Sequence, residues 1–426
     1  MDRFEAAAGE PGGVESLIER AEADPALRQP VADAICAARP DALRLLTDRL
    51  RAGWGGIGVD LSGATLVDAD FSGCRLAGAA FADTRFQGTT RFDGATFAEG
   101  VTFQRSVFAG DASFAGARFA AGAAFGRTGF RGRADFTGVE FGGEAWFGRG
   151  TETWWDDDEA WDTLEEIVPV PWDEPNEADP DWPVAVLVED YQDWEEGGDG
   201  ARFAGDVTFR DARFAGPAWF YNARFAAAAT FAGARFAGRF HLEHPTADLT
   251  GAHWTGNTED GESGWPLGWT VPEEGGDVVR DHSVPPLDGP ANLALLSRLG
   301  DDRPDLRQRI VTALCALLRV PALTDVRDDE PRRQTQRVLA ESLRHWPGMN
   351  VSLCAATLVD LDLSGCEADH ADFCGAQFHG TTRFAGSRLK HTSFSLDGSF
   401  GHATFHGDAV FGTPPPEHAV FRGAVT

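Results

Sequence analysis

The chain has 426 residues, enough for two or three domains, and a formal net charge of −30. Much of this charge is local, because residues 151–200 contain 19 Asp and Glu residues and no Lys or Arg. The charge balance argues against direct binding of nucleic acid and leaves open a basic protein partner or mimicry of a nucleic acid. The sequence has no apolar run long enough for a membrane helix and no signal-peptide pattern at its start, so we expect a cytoplasmic protein that does not bind membranes.

Residues 1–53 have the apolar spacing of short helices. Leu17 and Ile18 fit one helical face, and Pro25 and Pro40 divide the segment. We interpret this segment as an N-terminal helical cap. Such a cap would cover the open end of the element that follows and keep its edge strand from pairing with another chain.

Residues 54–255 repeat a large apolar side chain every five or six residues. A helix has a period of 3.6 and a half-buried strand a period of two, so neither produces this step. A chain that turns a corner after each repeat does, and four sides close a square coil. Coils stacked at the strand spacing of roughly 4.8 Å would place each Phe on the Phe of the next coil. The register runs Phe71, Leu76, Phe81, Phe86, Phe92, Phe97, Phe103, Phe108, Phe114, Phe119, Phe125, Phe130, Phe136, Phe141 and Phe147, then Phe203, Phe209, Phe214, Phe220, Phe225, Phe231 and Phe236.

Three five-residue units carry a resemblance to a known family. They read Ala-Thr-Leu-Val-Asp at 64–68, Ala-Asp-Phe-Ser-Gly at 69–73 and Ala-Asp-Phe-Cys-Gly at 371–375. Each resembles the unit of the pentapeptide-repeat family: a small residue, then often Asp or Asn, then Leu or Phe, then two free positions. The resemblance implies a mainly β fold, the right-handed quadrilateral β-helix. In this chain it would form two solenoids, each preceded by short α-helices.

The step between large residues departs from a strict five. From Phe86 to Phe147 it alternates between six and five residues, so that one coil takes about 22 residues rather than about 20. We therefore expect a bulge or a wider corner on two of the four sides.

Residues 148–200 interrupt the Phe register and are predicted to be an insert in the first solenoid. Tryptophans lie among carboxylates here, and such aromatic residues anchor protein interfaces while charge steers the approach. The alternative is that these tryptophans pack back on the solenoid wall. A cation site at 156–159 is a further alternative, although the spacing differs from that of an EF-hand loop. The predicted partner-binding residues are Trp154, Trp155, Asp156, Asp157, Asp158, Trp161, Trp172, Trp182 and Trp194.

The second half repeats the plan of the first. Residues 256–290 are rich in Gly, Pro and acidic residues and are predicted to be a linker. Residues 291–346 repeat the helical pattern, and residues 347–426 form the predicted second solenoid. The unit at 64–68 returns unchanged at 356–360, which indicates an internal duplication.

Cysteines and histidines give no catalytic or metal pattern. Cys74 and Cys366 lie two positions before a large residue, so they are expected in the core. Cys354 and Cys374 are expected on one outer face, as free thiols rather than a disulfide. The late histidines are predicted to point outward on different sides, so we expect no metal site and no cofactor.

Three functions fit these observations. The first is a non-catalytic scaffold for protein–protein interaction. The second, which the family resemblance implies, is a DNA mimic that modulates DNA gyrase or another topoisomerase, through inhibition or antibiotic self-resistance. The third is an enzyme or a biosynthetic accessory protein that uses a cleft between the halves; we expect no catalysis, because no catalytic motif supports it.

Overall fold

A computed structural model gives the architecture of most of the chain. The residues it describes are 2–10, 12–38, 42–148, 200–220, 223–256, 264–272, 275–287, 290–320, 329–354, 356–373, 375–390, 392–394, 404–405, 409–411 and 420–421.

Helices precede the first solenoid, as predicted. They are α1 (Asp2–Ala8), α2 (Gly13–Ala23), α3 (Arg28–Ala38) and α4 (Leu43–Ala52), with one 3₁₀ turn at Pro25–Leu27. In α4, Leu43, Leu46 and Leu50 are buried at spacings of three and four residues, which places them on one face. Trp54, directly after the helix, is also buried and packs with them against the first coil.

The first solenoid consists of very short strands. In chain order they are β1 (Ile57–Asp60), β2 (Thr65–Val67), β3 (Arg75–Ala80), β4 (Arg85–Gln87), β5 (Thr90–Arg91), β6 (Thr96–Phe97), β7 (Val101–Thr102), β8 (Val107–Phe108), β9 (Ala112–Ser113), β10 (Arg118–Phe119), β11 (Ala123–Ala124), β12 (Gly129–Phe130), β13 (Ala134–Asp135), β14 (Glu140–Phe141), β15 (Ala145–Trp146), β16 (Arg202–Phe203), β17 (Val207–Thr208), β18 (Arg213–Phe214), β19 (Ala218–Trp219), β20 (Arg224–Phe225), β21 (Ala229–Thr230), β22 (Arg235–Phe236), β23 (Phe240–His241) and β24 (His253–Trp254).

These strands stack in four parallel columns, which form the four walls of the solenoid. One wall is β3-β6-β10-β14-β18-β22-β24, and the next is β3-β7-β11-β15-β19-β23. The third wall is β2-β4-β8-β12-β16-β20, and the fourth is β5-β9-β13-β17-β21. The stacked parallel strands agree with the predicted solenoid. The right-handed sense of the coil stays a prediction.

Phenylalanine rings fill the interior, each stacked on the ring of the neighbouring coil. The centroids of Phe86 and Phe108 are 4.4 Å apart, and those of Phe108 and Phe130 are 4.8 Å apart, with nearly parallel planes. Rings from adjacent walls meet edge to face, as Phe103 and Phe114 do at 5.5 Å and 89°. Strand partners in this region lie 22 residues apart, as Phe86 and Phe108 do, which confirms the predicted coil length.

The alternating step corresponds to two kinds of corner. Five-residue steps close with a tight turn, in which the N–H three residues after the Phe donates to the Phe carbonyl; Ala95 donates to Phe92 at 3.0 Å and Ala117 to Phe114 at 2.9 Å. The six-residue steps in the described coils bend without that bond. The wider corners predicted on two sides are therefore present.

Glycines at the wide corners stack backbone on backbone. A Cβ on Gly110 would lie 2.2 Å from the carbonyl oxygen of Gly88, and a Cβ on Gly132 would lie 2.6 Å from that of Gly110. At the tight turns glycine has a different role, since Gly116 has φ +65° and open space around its Cβ position. Asp211 occupies the same turn position two coils further on at φ 56°.

The end of the first solenoid is closed by part of the predicted linker. It contributes the antiparallel pairs β24–β26 and β25–β27, formed with β25 (Trp269–Thr270), β26 (Gly276–Asp277) and β27 (Val279–Arg280). Leu267, Trp269 and Val278 are buried. The described parts of residues 256–290 are thus packed structure rather than a simple connection, because the open Phe stack has to be covered.

The second half has the same order of elements. Its helices are α5 (Pro290–Asp302), α6 (Arg307–Arg319) and α7 (Glu330–His345), with a 3₁₀ turn at Pro304–Leu306. Its strands are β28 (Asn350–Ser352), β29 (Thr357–Val359), β30 (Glu367–Ala368), β31 (His370–Asp372), β32 (Gln377–His379), β33 (Thr382–Arg383), β34 (Arg388–Leu389), β35 (Thr392–Ser393), β36 (Thr404–Phe405), β37 (Ala409–Val410) and β38 (Val420–Phe421). Phe378 stacks on Phe405 at 4.3 Å, and Phe384 on Phe411 at 5.1 Å.

We expect Gly132→Ala to lower the thermal unfolding midpoint, since its Cβ would collide with the Gly110 backbone. The overpacking should cost roughly 1–3 kcal/mol. Gly116→Asn is the matched control, because Asn tolerates positive φ and its Cβ would meet nothing within 4 Å. Thermal unfolding followed by circular dichroism measures both, and equal losses for the two variants would contradict the backbone-contact explanation.

Candidate functional site

The predicted partner-binding residues, Trp154 to Trp194, lie outside the described residues. The structure does show how the coil continues across them. The N–H of Ala201 donates to the carbonyl of Phe147 at 2.6 Å. The same bond closes the equivalent turn one coil earlier, from Thr128 to Phe125 at 3.1 Å.

The Phe stack also passes this point without a break. Phe147 stacks on Phe220 at 4.7 Å, and Phe130 on Phe203 at 4.9 Å. The strand partners Phe130 and Phe203 are 73 residues apart, whereas the usual partners are 22 apart. The turn bond between Ala201 and Phe147 therefore spans the point of insertion, and the register of both neighbouring coils is unchanged across it.

Glutamine side chains attach the helical segments to the first coils. The Nε2 of Gln29 donates to the carbonyl of Gly58 at 2.9 Å, and the N–H of Gly58 donates back to Oε1 at 2.9 Å. Gln308 holds Asn350 in the same way, at 2.9 and 2.8 Å. Each clamp satisfies both backbone groups on the free edge of a first-coil strand, so the edge cannot pair with another chain.

A third glutamine clamp is found in the second half. Gln336, on α7, donates to the carbonyl of Val359 at 2.6 Å and accepts from its N–H at 2.9 Å. Val359 lies on the free edge of β29 and is 1 % exposed. Sequence reasoning missed all three clamps. A contact between residues this far apart in the chain leaves no periodic signal.

Arginines on α4 and α7 attach these two helices to the first coils through equivalent contacts. Arg51 donates to the carbonyls of Ser72 and Asp70 at 2.7 and 2.6 Å. Arg344 donates to Ser364 and Asp362 at 2.9 and 3.0 Å. The two halves therefore use equivalent arginines on equivalent carbonyls.

A groove lies beside α4 in the first half, with a volume of about 820 Å³, and its counterpart beside α7 measures about 470 Å³. Val67, on the edge of β2, lines the first groove and is 65 % exposed. Val359 holds the equivalent place in the second. The two grooves thus differ in how much of the strand edge they leave open.

A buried ion pair joins the two halves. Arg319, near the end of α6, contacts the carboxylate of Glu243 in the end cap of the first solenoid, and both side chains are buried. The same guanidinium donates to the carbonyl of Ser352 in β28 at 3.1 Å. Arg319 therefore links the end of the first solenoid to the start of the second.

The charge of Glu243 is stabilised at this junction. Burial alone would raise the pKa of its carboxyl, but the Arg319 charge, with help from His241, lowers it to about 2. Arg309 is engaged as well, through the carbonyls of Pro266 and Trp269 at 2.9 and 2.7 Å. Glu243 and Arg309 line part of the adjoining cavity of about 420 Å³, and both already have hydrogen-bonding partners.

The cysteines of the described residues are free thiols. Cys74 and Cys366 are fully buried, as predicted, and burial raises the pKa of each thiol to about 11. Burial likewise raises the pKa of Cys36 to about 12, so these thiols are poor nucleophiles at neutral pH. Cys354 is a free thiol, as expected, but its side chain is only 8 % exposed and is therefore covered rather than open to solvent. Its Sγ donates to Asp372 at 2.5 Å, while Cys374 lies outside the described residues.

Two family models match the repeats. One, described as pentapeptide repeats (9 copies), matches residues 61–107, 81–129 and 199–244, and a second, pentapeptide repeats (8 copies), matches residues 350–395. The matched regions in both halves of the chain belong to the pentapeptide-repeat family. Comparison with curated proteins and comparison with solved structures each gave no match.

One wall of the first pentapeptide-repeat solenoid carries a row of arginines. Arg75, Arg118, Arg213 and Arg235 all point outward from the β3–β24 wall and are exposed. Glu140 lies between two of them and pairs with both Arg118 and Arg213. This wall is therefore basic, in contrast to the acidic composition of residues 151–200.

In the part of the chain that the structure describes, no group of three or more His, Cys, Asp or Glu side chains is arranged to hold a metal ion. Within the same residues, every helix is too short or too polar to cross a membrane.

We expect Arg319→Met to destabilise the protein by roughly 3–5 kcal/mol, because it leaves Glu243 buried without its partner. Replacing both residues, with Arg319→Met and Glu243→Leu, should restore much of that loss. Arg303→Met, which removes an exposed ion pair with Asp305, is the control and should have no measurable effect. Chemical denaturation measures all three.

The pH dependence follows from the lowered pKa of Glu243. A carboxyl whose pKa is about 2 when folded and ordinarily 4.5 adds stability above pH 4.5, and that stability is lost as the pH falls toward 2. The Glu243→Leu, Arg319→Met double variant lacks this carboxyl, so its stability should fall less over the same range. Parallel pH curves for the two proteins would contradict the assignment.

Proposed function

We propose that this pentapeptide-repeat protein is a non-catalytic scaffold that presents residues 149–199 to a protein partner, with the six tryptophans as anchors and the carboxylates steering a basic surface. The observation that supports it is the unbroken coil around the insertion point. A turn that keeps the bond from Ala201 to Phe147 holds both ends of the inserted segment on a rigid base. Presenting binding residues from a rigid frame is a common arrangement in proteins.

The coil has no mechanical need for the inserted residues. The equivalent turn runs Phe125, Gly126, Arg127, Thr128, and joining Gly148 directly to Gly200 would recreate that length as Phe147, Gly148, Gly200, Ala201. Arg127 adopts φ 56° in this turn, a conformation that Gly200 would adopt easily. The 51 inserted residues, which include 19 Asp and Glu residues, therefore serve function rather than the folding of the coil.

The deletion of residues 149–199 tests the proposal. We expect the shortened protein to keep its thermal unfolding midpoint within a few degrees, because the register is held by contacts between coils. We also expect it to lose a partner that the full chain recovers in a pull-down from the native host, identified by mass spectrometry. If the same partner is recovered by both proteins, the proposal is wrong.

Two further variants separate the roles within the segment. One changes the six tryptophans to Ser and keeps every charge; the other changes Asp156, Asp157 and Asp158 to Asn and keeps every aromatic ring. Loss of anchors should speed dissociation of the recovered partner, whereas loss of charge should slow association and weaken its dependence on salt. Both rates can be measured on a surface that carries the partner.

The DNA-mimic alternative requires a particular charge pattern on the outer walls of the solenoid. A mimic of duplex DNA needs regularly spaced negative charge along its length, and the β3–β24 wall instead exposes Arg75, Arg118, Arg213 and Arg235. We therefore expect micromolar amounts of the protein to leave the supercoiling activity of purified gyrase unchanged. Inhibition that survives deletion of residues 149–199 would overturn this expectation and favour a mimic built by the solenoid.

The alternative of an enzyme with its site between the halves has less support. The cavity at the junction has charged groups, but Glu243 is committed to Arg319, and Arg309 to backbone carbonyls. A reactive acid or base would need to exchange protons near neutral pH, and the pKa of Glu243 is about 2.

A further inference from the structure

Two positions on the free edges of the first coil in one solenoid correspond to two in the other: Gly58 to Asn350, and Val67 to Val359. At three of these four positions a glutamine side chain bonds both backbone groups. Gln29 closes Gly58, Gln308 closes Asn350, and Gln336 closes Val359. The fourth position is Val67 in β2. Within the described residues, no side chain takes up its backbone groups.

The helix residue that would close Val67 is Leu43. The two helices correspond at an offset of 293. The buried Leu46 and Leu50 match Leu339 and Leu343, and Arg51 matches Arg344 in its backbone contacts. The same offset places Leu43 where α7 has Gln336. A leucine side chain has no polar atom, so it can neither donate to the Val67 carbonyl nor accept from its N–H.

The direction of the Val67 backbone groups follows from the strand register. The backbone N–H of Arg85 donates to the Ala64 carbonyl at 2.8 Å, and the backbone N–H of Asp68 donates to the Gln87 carbonyl at 2.9 Å. The backbone groups of residues 64, 66 and 68 therefore pair with β4. In a strand the next residue directs its N–H and carbonyl to the opposite side, here into the groove beside α4. Val67 is 65 % exposed where its counterpart Val359 is 1 % exposed.

The groove also has a carboxylate in position for a cation. In the second half, Asp360 accepts from the N–H of Thr381 at 3.0 Å through Oδ1, and its Oδ2 faces Arg333 of α7 at 3.9 Å. In the first half, Asp68 accepts from Thr89 at 3.0 Å in the same way, but the described residues supply no cation to its other oxygen.

We propose that the groove between α4 and β2 binds an extended peptide segment of a partner protein, which pairs with the Val67 backbone and directs an Arg or Lys side chain to Asp68. The chemistry of the peptide is inferred from the equivalent site at Val359 in the second half. There a carboxamide supplies one donor and one acceptor to the Val359 backbone, and a guanidinium faces Asp360. An extended peptide with a basic residue presents the same groups, and strand addition at a free edge is an established mode of peptide recognition. The residues that line the groove are not part of 149–199, so the two proposals can fail independently.

The probe is a phage-displayed library of random seven-residue peptides, selected on the full-length protein and counter-selected on Leu43→Gln. This substitution installs the fourth clamp and should close the edge. A selected peptide, synthesised with a fluorescent label, is then titrated by anisotropy. We expect enriched peptides to contain Arg or Lys and to bind Leu43→Gln at least about tenfold more weakly, since two backbone hydrogen bonds are lost.

Two variants of Val67 keep the test valid if Leu43→Gln folds poorly. Val67→Pro removes the N–H from an edge position where proline is tolerated, and should weaken binding to a similar degree. Val67→Thr changes the exposed side chain but keeps both backbone groups, and should retain binding. A copy of the peptide with methylated backbone nitrogens should lose affinity for the unmodified protein.

Several outcomes would overturn the proposal. One is a library that yields no peptide distinguishing the unmodified protein from Leu43→Gln, and another is equal binding to the Pro and Thr variants. Peptide binding that disappears on deletion of residues 149–199 would place the site elsewhere. Sedimentation equilibrium tests a second copy as occupant: an oligomer that becomes a monomer in Leu43→Gln would mean that the edge pairs with another molecule of this chain.

Discussion

The stacking of each ring on the ring of the next coil is the contact on which both solenoids depend. A ring such as Phe108 lies between Phe86 and Phe130, at 4.4 and 4.8 Å, and meets Phe114 of an adjacent wall edge to face. Full burial of one Phe contributes roughly 1.5–3 kcal/mol, but one coil alone has nothing to cover its ring. Stability therefore comes from the length of the stack, and the glycine corners serve it by letting coils approach to stacking distance.

A stack of this kind has two ends, and the ends need other chemistry. A terminal coil would expose the outer faces of its rings and a row of backbone groups that no further coil satisfies. The helices supply apolar cover through residues such as Leu46 and Leu339, and glutamine carboxamides supply the hydrogen bonds. A carboxamide suits this task because it carries a donor and an acceptor side by side, as a neighbouring strand would.

The sequence predicted those parts of the fold that repeat. The five- and six-residue steps predicted stacked coils of about 22 residues and the wider corners, because one large residue per side is a local requirement that recurs many times. The clamps of Gln29 and Gln336 and the pair of Arg319 with Glu243 were not predicted, since each occurs between segments whose approach depends on the finished fold. The burial of Cys354 was not predicted for a related reason: an outward position can still be covered by its neighbours. The prediction that the residues between Trp154 and Trp194 bind a partner rests on composition alone.

At the junction between the halves, a polar contact takes the place of the Phe stack. This contact bears on how the second solenoid is oriented on the first. Stacked rings tolerate sliding, since a face of one ring fits any face of the next. A guanidinium directs its donors in fixed directions, and Arg319 contacts Glu243 on one side while donating to Ser352 on the other. Burial makes a mispaired arrangement costly, because it would leave a charge without a partner. We therefore expect the ion pair to favour one arrangement of the second solenoid on the first.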